Sequence, residues 1–231
     1  MRPYKHLFFD LDQTLWDHEY NANQTLANLY GEFRLNQYRG FNLEDYRQAF
    51  HEVNHGLWHD YHRGTVTRDF IKAERFNMVM GILQVTDYAN SLEMGARYLE
   101  ICPRKGNLMP YAIETLEYLK KRYPMTIITN GFDEIQGIKL TSSGIDRYFE
   151  AIVTSEKAGC LKPHRGIFDF AVKHAQVSCN ECIMIGDNPV TDIAGARNSG
   201  IDQVYFNSKG IDDHWETTYR IQNLAELRSL L

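Results

Sequence analysis

The chain has 231 residues, 43% of them hydrophobic, enough for one large domain or a core with a smaller insert, and this excludes a disordered polymer. Its formal net charge is -5 with no long basic run, which argues against a nucleic-acid duplex as partner. No apolar segment approaches the ~20 residues of a membrane span, no secretory leader is recognisable, and four cysteines do not make a disulfide scaffold, so a cytoplasmic globular protein is expected.

The first element is predicted from His6-Leu7-Phe8-Phe9, an apolar run that ends abruptly in Asp10 and Asp12, followed by Thr14. A continuous run of this kind suits a parallel strand buried on both faces, and the acids then stand at its carboxyl end, where open α/β sheets bind ligands. Taken alone, Asp-x-Asp also fits a polar turn that caps a helix.

From Glu19 to about Cys102 the period becomes helical, with helices predicted over residues 20–33, 43–63, 67–84 and 87–101. In the second, Tyr46, Phe50, Val53, Leu57 and Tyr61 share one face; in the third, Phe70, Ala73, Phe76, Met80 and Leu83 do so. Gly40 and Gly64 fall in the breaks. His51, His55, His59 and His62 have metal-like spacing along the second helix, with Glu52 following His51, but a polar helix face is the better reading, since a catalytic zinc also needs a third protein ligand. Cys179 and Cys182 have the C-x-x-C spacing without a second ligand pair, and Cys182 opens an apolar run, so it reads as a small buried hydrophobe.

After Asn107 helix and strand alternate. Pro110 suits a first helical position for a helix over 111–123, and Met125-Thr-Ile-Ile-Thr129 is a short strand ending in Thr129-Asn130-Gly131, whose hydroxyl and backbone N–H groups could cradle phosphate oxygens. A helix over 133–144 closes on Gly144, and a strand over 151–154 leads to Lys162, which Pro163 biases away from helix and so places on a loop. A helix over 166–175 precedes Cys182-Ile-Met-Ile-Gly186, a second buried strand ending in an acid, Asp187. Pro189 can open a helical turn that carries Asp192 back over the strand end; a last strand over 203–206 and a helix around 224–230 finish the chain. Strands alternating with helices predict an α/β fold with a doubly wound, Rossmann-like parallel sheet.

Four carboxylates gathered at two strand ends repel one another, and a divalent cation relieves the conflict. An all-oxygen donor set without His or Cys favours magnesium over zinc. Phosphate-monoester hydrolysis needs rate enhancements of up to ~10²¹-fold, and the inventory suits it: one carboxylate attacks phosphorus while a second exchanges the proton.

D-L-D-Q-T, T-N-G, Lys162-Pro163 and G-D-N-P-V-T-D, in this order along the whole chain, resemble the four motifs of the haloacid dehalogenase superfamily. The resemblance implies that Asp10 is the nucleophile and that Asp12 is the acid/base, its backbone carbonyl also binding Mg2+. It implies further that Thr129, Asn130, Gly131 and Lys162 hold the phosphoryl group, and that Asp10, Asp12, Asp187 and Asp192 form the metal site. It also implies a core of residues 1–16 and 103–231, with an α-helical cap over 17–102 that closes on the substrate. The dehalogenase branch lacks the second acid, so Asp12 favours phosphate chemistry. Gln13, where many members have Gly, and Asn188-Pro189 depart from the pattern and bear on substrate detail.

The stretch T-N-G-F-D-E-I-Q-G-I-K-L with Y-F-E-A-I-V-T-S-E is most similar to the bacterial pyrimidine 5′-nucleotidase branch. That implies a small phosphorylated metabolite as substrate, a pyrimidine nucleoside monophosphate first. N-acylneuraminate 9-phosphate, phosphoglycolate, another sugar phosphate, or a phosphosugar mutase reaction are the alternatives. Trp16, Asn21, Trp58, Arg75 and Phe76 are the candidates to meet a base or sugar, with core packing the competing reading.

Overall fold

The computed structural model describes residues 4–231; the opening residues of the expected core segment, 1–3, lie outside the described residues. Contacts divide the chain into two compact units, residues 1–18 with 106–231, and residues 19–105.

In chain order, β1 (His6–Phe9) is followed by four helices, α1 (His18–Glu32), α2 (Leu43–His62), α3 (Arg68–Ile82) and α4 (Tyr88–Ile101). The remainder comprises α5 (Ala112–Leu119), β2 (Met125–Thr129), α6 (Asp133–Ser142), β3 (Ala151–Thr154), α7 (Ser155–Ala158), α8 (Arg165–Ala175), β4 (Cys182–Gly186), a π-helical turn (Pro189–Ala194), α9 (Gly195–Asn198), β5 (Asp202–Phe206), β6 (Tyr219–Ile221) and α10 (Leu227–Leu230).

The six strands form one sheet in the order β3-β2-β1-β4-β5-β6, every pairing parallel. The chain builds outward from β1 to β3 and then returns to place β4 on the other side of β1. This reversal is the topological switch point, the crevice where α/β sheets bind ligands. Register aligns Phe9 with Ile127 and with Ile185, so the chain leaves β1, β2 and β4 at one level. The central strands are apolar because both faces are covered: β1, β2 and β4 are buried at every position. On one face Phe8, Ile128, Val153 and Met184 pack with Ile167, Phe168, Ala171 and Ala196 of the following helices.

Several local expectations are corrected. The strand over 203–206 is not the last: β6 follows and pairs with it at the sheet edge. Pro110 lies in a turn, and α5 starts at Ala112 after Tyr111 takes φ 65°. The helix around 224–230 is a 3-10 turn (Leu224–Glu226) running into α10. Gly144 stands just past the end of α6 in the left-handed region, φ 70°, as the closing glycine of a helix does.

In the helical unit, Asn42 caps α2 through its side chain and Asp45 closes the capping box. Tyr46, Phe50, Val53 and Leu57 are buried as their spacing predicts. The apolar face of α3 is rotated from the expected one: Ile71, Arg75, Phe76, Val79 and Met80 are buried, while Phe70 is 44% exposed. Phe50, Phe76 and Tyr98 form a cluster with ring centroids 5.0–5.6 Å apart. The Arg75 guanidinium stands 5.3 Å from the Tyr98 ring, so its burial is offset by the aromatic faces. No helix among the described residues is long and apolar enough to cross a membrane.

Candidate active site

The site grows from the switch point. Asp10 follows β1, and its N–H donates to Ile185 O at 2.9 Å, which fixes the backbone of the first acid against β4. The chain then turns sharply, with Leu15 N–H and Trp16 N–H both donating to Leu11 O. Gln13 takes φ 64° in this turn, the left-handed conformation that glycine adopts at no steric cost.

Thr14 is fully buried and comes back over Asp10. Its hydroxyl accepts the Asp187 N–H at 3.1 Å and lies 3.2 Å from Asp10 Oδ2 and 3.3 Å from Asp187 Oδ1. One side chain thereby ties the turn after β1 to the turn after β4.

Lys162, 2% exposed, supplies the positive charge. Its Nζ donates to Asp10 Oδ1 at 2.6 Å, to Ile128 O at 2.7 Å, and pairs with Asp192 Oδ1 at 2.7 Å, which uses all three ammonium hydrogens. Asn130 holds the loop that carries it: Asn130 Oδ1 accepts from Lys162 N–H at 2.7 Å, and Asn130 Nδ2 donates to Lys162 O at 2.9 Å. The side chain of Asn130, expected to help hold phosphate, is thus engaged in holding Lys162. Thr129 accepts the Gly131 N–H on its hydroxyl at 3.0 Å and keeps its own hydrogen for an acceptor. Gly131 has no room for a Cβ, because the buried Gln136 side chain fills that space.

At the end of β4, Gly186 is likewise required: a Cβ there would overlap the Asp192 carboxylate. Asp192 is 1% exposed and accepts the Asn188 N–H at 3.0 Å. Carboxylate oxygens of Asp10, Asp187 and Asp192 lie within 4.8 Å of one another, and among the described residues this is the group of His, Cys, Asp and Glu side chains that could hold a metal ion. The histidines of α2 form no such group: His51 bonds Asn23 at 2.8 Å, and His55 and His59 are exposed. Cys182 is buried in β4, its thiol directed at Ser178 O and Cys179 O, which suits the hydrophobe reading.

The charges explain the titration. Burial pushes the Asp10 carboxyl up to about 7, with Lys162 pulling against it and Asp192 adding to it. Burial and then repulsion from Asp10 and Asp192 raise Asp187 well above the carboxylate range. Lys162 is held above its ordinary value: burial disfavours its charge, but Asp10 and Asp192 outweigh that. Three acids facing one lysine leave excess negative charge in a buried space, and the donor set is all oxygen. These residues fit a hard divalent cation.

Asp12 lies apart from this cluster. Its side chain is 29% exposed, and Lys139 Nζ meets its Oδ1 at 2.5 Å. Burial raises its pKa, but Lys139 first and His18 second overcome that and hold it low. Sequence reasoning missed Lys139, which lies 127 residues from Asp12, and left Thr14 as a motif letter.

The family model for haloacid dehalogenase-like hydrolases matches residues 4–200. The chain belongs to the haloacid dehalogenase-like hydrolases. Like other members it is an enzyme. It is 30% identical to pyrimidine 5′-nucleotidase YjjG of Escherichia coli, over 97% of this chain and 96% of that one. It is 26% identical to pyrimidine 5′-nucleotidase PynA of Streptococcus pneumoniae, over 99% and 95% of the two chains. The magnesium-bound crystal structure of the HAD-hydrolase YfnB of Bacillus subtilis superposes with a TM-score of 0.87, at 26% identity and 98% coverage of both chains.

Of the five residues expected to meet a base or sugar, Trp16, Asn21, Arg75 and Phe76 are buried, and Trp58 alone is half-buried. Phe76 belongs to the aromatic cluster of the helical unit and Trp16 to the turn after Asp10, so packing accounts for both.

Proposed function

We propose that this enzyme hydrolyses phosphomonoesters of small metabolites with magnesium, through an aspartyl-phosphate, and that pyrimidine nucleoside monophosphates are its preferred substrates. The observation that carries the chemistry is the buried Asp10 carboxylate, bonded to Lys162 at 2.6 Å, with a second carboxylate two residues on in a separate, half-buried setting beside Lys139. The nucleotide preference rests on the two nucleotidase relatives. Asp10, Asp187 and Asp192, with the Asp12 backbone carbonyl, would hold the metal. When bound, Mg2+ supplies the positive charge that keeps Asp10 ionised and offsets charge on the phosphoryl oxygens.

In the first half-reaction an Asp10 carboxylate oxygen attacks phosphorus as the ester P–O bond breaks, and Asp12, ionised in the free enzyme, passes to the departing alkoxide a proton taken from the bound phosphomonoester monoanion. In the second, Asp12 takes a proton from water, whose oxygen attacks phosphorus, and the bond from phosphorus to Asp10 breaks to release phosphate. Lys162, the Thr129 hydroxyl and the backbone of Asn130 and Gly131 orient the phosphoryl group.

The test is phosphate release from a panel of nucleoside monophosphates, sugar phosphates and phosphoglycolate, with magnesium and with EDTA. Magnesium-dependent release that favours UMP, dUMP or dTMP is expected, and Asp10→Asn should abolish it. Unchanged turnover by Asp10→Asn would remove the nucleophile; preference for a sugar phosphate would overturn the substrate.

A further inference from the structure

Lys139 has no place in the mechanism above, yet it is built into the site. It sits on α6 with its side chain 8% exposed, its Nζ 2.5 Å from Asp12 Oδ1 and 4.4 Å from the centre of the Trp16 ring. Trp16 is fully buried, so the ammonium is confined between an aromatic face and a carboxylate. Its helix is also fixed: Gln136, one turn earlier on the same face, is 1% exposed and fills the space beside Gly131.

A buried ammonium is costly to desolvate, and an apolar side chain of similar volume is often as good for stability. The cost is explained if the pair serves chemistry. His18 Nδ1 approaches the same Asp12 oxygen, at 3.7 Å, and no hydrogen bond from the described residues reaches Oδ2. We propose that Lys139 is a positioning residue for proton transfer: by tying Oδ1 it sets the Asp12 carboxylate so that Oδ2 faces the leaving oxygen and then the attacking water. This rests on the proposed phosphatase chemistry and adds to it the residue that aims its acid/base. No bond is made to Lys139 in either half-reaction; Oδ2 takes a proton from the bound phosphomonoester monoanion, passes it to the alkoxide, and takes another from the attacking water.

The experiment compares kcat/KM for two leaving groups, since p-nitrophenolate departs without a proton and an alkoxide needs one. Lys139→Met keeps an unbranched side chain against Trp16 and removes the charge. It should lose about 10–100-fold on the best alkyl phosphate of the panel and only a few-fold on p-nitrophenyl phosphate, within the ~10²–10⁴-fold range of general acid–base catalysis. Equal losses on both esters, or an unchanged alkyl rate, would overturn the proposal. Retained activity on the aryl ester reports a folded site; should circular dichroism show the Met variant unfolded, Lys139→Gln takes its place and must show the same split. If the wild-type enzyme with magnesium hydrolyses neither ester, the phosphatase reading itself falls, which is distinguishable from an equal loss in the variant.

Discussion

Replacing Asp187 by Asn should make the metal-free protein more stable while abolishing its response to magnesium. Asp187 faces Asp10 and Asp192 with oxygens within 4.8 Å, and Lys162 is the cation of the cluster. At an effective dielectric of ~20, one unit charge pair at that separation is worth about 3.5 kcal/mol. Two repulsions set against one lysine leave roughly one such term uncompensated. Proton uptake by Asp10, which titrates up to about 7, caps the penalty, so a gain of about 1–3 kcal/mol is expected at pH 8. For a chain of this length that corresponds to roughly 2–12 °C in Tm.

The pH dependence has a definite sign. Carboxyls raised in the fold bind more protons folded than unfolded, so their contribution is complete below the unfolded value of 3.8 and is lost as pH rises toward 7 and beyond. The Tm gap between Asp187→Asn and wild type in EDTA should therefore be wide at pH 8 and close near pH 4. Scanning calorimetry in EDTA across that range, then with magnesium at pH 8, measures both parts. A variant that melts below wild type in EDTA at pH 8, or that gains as much Tm from magnesium, would refute the electrostatic reasoning.

Two further substitutions probe the scaffold. Asn130→Ala removes both hydrogen bonds that hold the Lys162 backbone; a stability loss of about 1–3 kcal/mol and a fall in kcat are expected, measured by urea unfolding and initial rates. Wild-type values in both would show that Lys162 needs no such support. Gly186→Ala forces the Asp192 carboxylate away from Lys162 and Asn188. The magnesium concentration for half-maximal rate should rise roughly tenfold or more, about 1.4 kcal/mol or above, as overpacking of a tight site costs ~1–3 kcal/mol. An unshifted magnesium titration would contradict it.

The sheet was legible because β1, β2 and β4 are covered on both faces and so read as apolar runs that stop at Asp10, Thr129 and Asp187. Lys162 could be placed on a loop from Pro163 alone, but that its ammonium bridges Asp10 and Asp192 depends on chain crossings that no local pattern encodes. The same holds for Lys139, whose charge marks it as a surface residue until Asp12 and Trp16 surround it. The α3 face failed for a different reason. A face built on Phe70 and one built on Ile71 both satisfy spacings of three and four, and the deciding feature was the burial of a charged residue, Arg75. β6 escaped notice because three edge residues with exposed Arg220 at their centre carry almost no apolar signal.

The pairing of β1 has a consequence for how the chain is made. Leu7 sits beside Met125, and His6 beside Cys182, so the central strand is synthesised before both its neighbours and meets them only after more than a hundred further residues. The helices of residues 19–105 rely on nearer contacts and can assemble while the ribosome is still working. During that interval Leu7-Phe8-Phe9 waits as an unpaired apolar segment, the kind that aggregates or recruits a chaperone. The residues that place the first acid at the centre of the sheet therefore make the nascent chain vulnerable until β4 has emerged.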